Sequence, residues 1–76
     1  MDINEFIEHF VEQFEETDAA EFKAETIFKD LDEWSSLMAL NIIAMVDEEY
    51  DVTLKGADIE NSATIEDLFN TVKSKK

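Results

Sequence analysis

The chain has 76 residues, of which 45% are apolar, with 20 acidic side chains against six basic ones and a formal net charge of −14. That length allows one domain with a thin core. The lack of any cysteine excludes a disulfide, a catalytic thiol, a zinc knuckle and a redox role for the chain's own side chains. The acidity repels nucleic acid and anionic lipid and favours basic protein surfaces or cations, although solubility alone is reason enough for it.

The first predicted element is a helix. Ile3, Phe6, Ile7, Phe10, Val11 and Phe14 fall on one stripe of a 3.6-residue period, with Glu5, Glu8, Glu12, Glu15 and Glu16 opposite. Asp2 is its expected N-cap, with Glu5 placed three residues on for a capping box, and Thr17-Asp18 is its expected end. Glu8, Glu12 and Glu16 repel at i, i+4 spacing, so packing must hold this helix. Residues 17–35 show no sustained period. Phe22, Ile27, Phe28 and Leu31 are the expected anchors tacking this long connection across the core, and a connection of such length usually carries function.

The second helix is expected over Ser36 to Tyr50. Ala39, Ile42, Ile43, Val46 and Tyr50 form one stripe, the expected core face. Leu37, Leu40 and Ala44 lie on a different face, bordered by Asn41, Asp47 and Glu48. A helix apolar on two faces is either buried all round or presents one to a partner. In so small a domain the second face is expected to meet a partner. Leu54 to Asn61 holds a short helical turn at most, with Ile59 pointing in. The last helix carries Ile65, Leu68, Phe69 and Val72 on one stripe, with Thr64 as N-cap, acids in the first turn and lysines at the end.

Enzymatic chemistry finds no support. The single histidine, His9, sits among glutamates at the edge of the first stripe with no serine or cysteine nearby in sequence, so it reads as a surface residue. No carboxylate pair is marked out for acid–base work. Asp30-Leu31-Asp32 and Asp47-Glu48-Glu49-Tyr50-Asp51 lack the glycine and terminal glutamate of calcium loops, and no metal site is expected. There is no phosphate-binding glycine loop. The acidic start Met1-Asp2-Ile3-Asn4-Glu5 is not the basic opening of a secretory signal, and no apolar run approaches the ~20 residues of a membrane span. The cytoplasm is the expected compartment.

The segment Trp34-Ser35-Ser36-Leu37, followed by an apolar helix that ends in Asp47-Glu48-Glu49-Tyr50, resembles the acyl carrier protein family. That family typically shows Asp-Ser-Leu before such a helix. The similarity extends over essentially the whole chain, through Asp51 to Leu54 and Thr64-Ile65-Glu66-Asp67-Leu68. The resemblance implies an all-α bundle of three main helices plus one short helix, formed by residues 1–76 as a single, free-standing and monomeric carrier domain. It implies that Ser36 is esterified with 4′-phosphopantetheine from coenzyme A by a phosphopantetheinyl transferase that uses magnesium. The arm then brings the thiol that the chain lacks.

The family's docking surface maps onto Leu37, Leu40, Asn41, Ala44, Asp47 and Glu48, the second face already found by periodicity, for transferases and synthases with basic surfaces. Fatty-acid synthesis is the leading pathway, with a specialised polyketide, aminoacyl or surface-polymer pathway close behind. The family's usual Asp before the modified serine is Ser35 here. A transferase that reads that carboxylate is therefore expected to act less well, and Ser35 is a second candidate acceptor. Asn41 stands where the family often has an acid. The alternative from another class is an unmodified acidic interaction module that occupies basic surfaces.

Overall fold

The computed structural model describes residues 2–76, and all regular structure among them is helical. Helix α1 spans Ile3–Val11, α2 Ser36–Tyr50, α3 Gly56–Glu60 and α4 Ile65–Lys75, with two short 3-10 turns, Ala19–Glu21 and Phe28–Asp30, between α1 and α2. The result is the expected bundle of three main helices and one short one. Helix α1 packs against both α2 and α4, and α3 lies against α4.

Each helix follows from its sequence. The α1 stripe buries Phe6, Phe10 and Phe14 and half-buries Ile3, Ile7 and Val11. Asp2 caps the helix by accepting from the Asn4 N–H at 3.2 Å. Glu5 does not close the expected capping box and instead approaches His9 at 3.7 Å. In α4 the box is complete: Thr64 Oγ1 accepts from the Asp67 N–H and Asp67 Oδ2 from the Thr64 N–H. Helix α2 ends at Asp51, which adopts a left-handed conformation with φ 56°.

Helix α1 stops at Val11, short of the expected Thr17-Asp18, and Glu16 therefore leaves the stack of repelling glutamates. The helix tightens first, the Gln13 and Phe14 N–H groups donating to the Phe10 and Val11 carbonyls three residues back, and a competing arrangement keeps it from resuming. The Glu33 carboxylate accepts from the backbone N–H groups of Glu15, Glu16 and Thr17 at 2.8–3.0 Å, and from the Thr17 hydroxyl at 2.8 Å. Backbone donors converging on an anion cannot also continue a helix. The connection is then tied at three further points. Thr26 Oγ1 accepts from the Lys23 N–H and donates to the Glu21 carbonyl. The carbonyls of Ala24 and Thr26 accept from Glu66 and Ile65 at the head of α4. Lys29 Nζ donates to the Ile59 and Glu60 carbonyls at the end of α3. Of the four expected anchors, Phe22 and Phe28 are buried and Leu31 is half-buried, but Ile27 is 50% exposed. With Thr26 bound to α4 and Phe28 turned into the core, the residue between them faces outward.

The core is largely aromatic. Phe10 packs against Phe6, Phe14, Phe22 and Phe28, and Phe6 continues to Tyr50 and Phe69. Trp34 extends the row, its ring 4.9 Å from Phe28 and 6.4 Å from Phe14. Such contacts add specificity to the apolar area that they bury, which a domain this small needs. In α2 the buried residues are Met38, Ile42, Met45, Val46 and Tyr50. Ala39 and Ile43, expected in the core, are only half-buried. The flexible methionine side chains reach the core from the flank of the stripe, which shifts the buried face towards them. The Tyr50 hydroxyl is buried without a hydrogen-bond partner. Burial, together with the negative charge of Glu5, Glu49 and Asp2, pushes its pKa up to about 12.

Candidate functional site

The two serines that open α2 have different local roles. Ser35 is the N-cap: its backbone is extended and its Oγ accepts from the Met38 N–H at 3.3 Å. Ser36 is the first helical residue, as the expected start of this helix has it. It is exposed, and its hydroxyl has no partner among the described residues. At this position the N–H groups of Ser36 and Leu37 precede the first intrahelical bonds and remain open to an anion. Ser and Asp are near-equivalent N-caps. Replacing Asp by Ser at position 35 therefore keeps the cap and removes only the charge.

Three anchored elements fix where this hydroxyl points. Trp34 is packed on Phe14 and Phe28, Glu33 is bound to the backbone after α1, and Met38 is buried one turn into α2. The segment entering the helix is thus held on both sides of the serines. Ser36 lines a cleft of about 440 Å³ with Trp34, Ser35 and Ala39 on one side and Lys29, Gly56, Ile59 and Glu60 on the other. The apolar parts of Trp34, Ala39 and Ile59 give it a partly greasy wall. A second cleft of about 450 Å³ lies beside the Glu33 tie. It is lined by Glu16, Glu21, Asp30 and Asp32 and contains neither serine. No group of three or more metal-ligating side chains is assembled among the described residues.

The residues of the second α2 face lie where the periodicity put them. Leu37 and Leu40 are 65% and 62% exposed. Ala44, Asp47 and Glu48 are exposed, and Asn41 is half-buried, its Nδ2 donating towards Met38 Sδ at 3.8 Å. The helix has no acid in its first turn and no base in its last. Asp47 and Glu48 thus crowd the negative end of the dipole, against the arrangement that favours stability and opposite to that of α4. His9 lies apart from all of this. It is half-buried, with Nε2 3.7 Å from Glu5 and 3.8 Å from Glu49, Nδ1 3.7 Å from Glu12, and its ring edge-on to Tyr50.

Sequence reasoning missed the far wall of the cleft. Lys29, Gly56 and Ile59 come from an aperiodic segment and a five-residue helix, where no pattern relates them to Ser36. An exposed hydroxyl at the head of a helix, beside open N–H groups and a partly apolar cleft, suits a phosphodiester with a chain attached. Residues 4–72 match the family model for the phosphopantetheine attachment site. No curated protein and no solved structure gives a match to the chain.

Proposed function

The chain belongs to the phosphopantetheine-attachment family, the acyl carrier protein domain, and from that premise we propose that Ser36 holds the arm and that the protein carries acyl groups without catalysing their chemistry. Domains of this family are carriers, bear covalent 4′-phosphopantetheine and work with transferase and synthase enzymes. When bound, the group supplies a thiol on which an acyl cargo is held as a thioester. The observation that carries the assignment to Ser36 is the division of labour at the head of α2: Ser35 Oγ is engaged in capping, whereas Ser36 Oγ is exposed and free of partners.

The remaining residues have roles that follow from their positions. Met38 and Trp34 anchor the segment so that Ser36 is presented outward. The N–H groups of Ser36 and Leu37, at the positive end of the α2 dipole, favour the phosphodiester charge. Attachment would form one P–O bond from Ser36 Oγ and break the pyrophosphate bond of coenzyme A, with adenosine 3′,5′-bisphosphate as the leaving group and the serine proton passing to the transferase. Leu37, Leu40, Asn41, Ala44, Asp47 and Glu48 form the docking face, apolar at the centre and acidic at the rim, for basic patches on partner enzymes. We read residues 1–76 as one monomeric carrier domain of the cytoplasm, serving fatty-acid synthesis or a related specialised acyl pathway. Among the described residues no helix is long and apolar enough to cross a membrane. Intact mass after incubation with coenzyme A, magnesium and a promiscuous transferase tests the reading. One phosphopantetheine increment is expected, and an unchanged mass with several transferases contradicts it.

A further inference from the structure

The cleft beside Ser36 contains one basic side chain, Lys29, in a chain where acids outnumber bases by more than three to one. Despite that excess, Lys29 forms no ion pair among the described residues. The one lysine–carboxylate pair there joins Lys75 to Asp58 at 3.5 Å. The Lys29 ammonium donates instead to two neutral carbonyls at the end of α3, Glu60 O at 2.9 Å and Ile59 O at 3.4 Å. Among the described residues the ammonium has, beyond these two bonds, only the Phe28 ring, its centroid 5.8 Å away, and the longer of the two bonds is weak.

Resting on the assignment of the arm to Ser36, the geometry points to Lys29 as a latch that exchanges partners when the arm is attached. Without the arm, Lys29 holds the C-terminal carbonyls of α3 against the connection before α2. With a phosphodiester on Ser36, a full negative charge enters the cleft that Lys29 already lines. A carbonyl offers the ammonium only a dipole, whereas a phosphodiester adds the attraction of a full opposite charge, and the flexible four-carbon stem lets the ammonium turn from one to the other. Helix α3 has only five residues and little stability of its own, so losing the Lys29 bonds loosens its end. Attachment of the arm would thereby loosen the α3 wall of the cleft that Ser36 lines.

Amide hydrogen exchange tests the latch on the full chain, unmodified and modified, with the extent of modification read by intact mass. The reporters are the Asn61 and Ser62 N–H groups, which bond the Ala57 and Ile59 carbonyls at the end of α3. In the wild type, modification should speed exchange at these two amides by about fivefold or more and leave the buried turns of α1 and α4 unchanged. In Lys29→Met both amides should exchange fast in either state, with less than about twofold further change on modification. The wild type alone supplies a second reading. Raising salt from about 0.05 M to about 1 M, where the screening length falls to about 3 Å, should shrink the difference between its two states. Fully modified wild type that exchanges like the unmodified form, or Lys29→Met that responds as the wild type does, overturns the latch and leaves the carrier assignment standing. Absence of the mass increment overturns the carrier assignment, and the latch with it.

Discussion

At position 35 the chain separates two properties that one residue usually combines. Ser35 caps α2 through its 3.3 Å bond from Met38, and an aspartate there would cap equally well while adding a charge beside the acceptor. Ser35→Ala should therefore lower stability by about 0.5–2 kcal/mol without preventing modification of Ser36. Ser35→Asp should leave the melting temperature nearly unchanged and speed modification by transferases that read the carboxylate. Stopped-time mass assays beside thermal melts check both, and a Ser35→Asp protein modified more slowly than the wild type would contradict this account of the position. Glu33 gives a second prediction at this scale. The Glu15 N–H, then the Thr17 hydroxyl and the N–H groups of Glu16 and Thr17, stabilise its carboxylate and hold its pKa below the ordinary value, outweighing a smaller opposing effect of burial. A lowered pKa means that the native state holds this proton less tightly than the unfolded chain does. The contribution is thus present above the ordinary carboxylate pKa and is lost as pH falls through the lowered one. Glu33→Gln should unfold at lower urea than the wild type near about pH 7, and the gap should close as pH falls through the lowered carboxylate pKa. A gap independent of pH would show that the carboxylate charge is not what ties the connection down.

Helix α2 is the element in which stability and function part. Its core side could have been satisfied by one stripe, yet Leu37 and Leu40 face solvent and acids crowd the wrong end of its dipole. Asp47→Lys with Glu48→Lys should keep the helical circular dichroism, and should raise stability slightly by relieving that end. The same double variant should weaken partner binding and slow modification by about tenfold or more, as salt does in the wild type. Unfolding, or unchanged binding, would show that the face has been misread. This face was legible in the sequence, as were the bounds of α2 and α4 and the Thr64 cap, because each depends on periodicity or on a cap within one turn. What could not be read has long-range causes. After Val11 the chain passes into tighter turns at Gln13 and Phe14, and Glu33, far along the chain, then holds the N–H groups of Glu15, Glu16 and Thr17, so the helix does not resume; Ile27 is exposed because its neighbours are held elsewhere. Met38 and Met45 are buried more deeply than Ala39 and Ile43, which pack half-buried against the core, because reach, not register alone, decides what is buried. Lys29 entered the site through a tertiary contact that no spacing announces.

The whole molecule carries a net charge of −14 on a small helical body, so it repels itself in the folded state more than in the expanded one. Its melting temperature should rise between about 0.05 and about 0.5 M sodium chloride as the screening length shortens to below about 10 Å. Magnesium should act at lower ionic strength than sodium. With no cluster of three or more ligating side chains among the described residues, its effect should grow gradually and without saturation at a single site. A melting temperature indifferent to both salts would mean that the charges are already spaced beyond mutual influence. On the proposed reading this body presents one hydroxyl, and the mass of the intact chain tests that directly. Wild type, Ser35→Ala and Ser36→Ala are incubated with coenzyme A, magnesium and a promiscuous transferase, weighed, and fragmented between Trp34 and Leu37 to locate the addition. Because Ser36 makes no cap, its loss should change stability by less than about 0.5 kcal/mol, so all three proteins enter the assay folded. The account predicts one phosphopantetheine on Ser36 in the wild type and in Ser35→Ala, and none in Ser36→Ala; an increment that survives in Ser36→Ala, or never appears in the wild type, would contradict it.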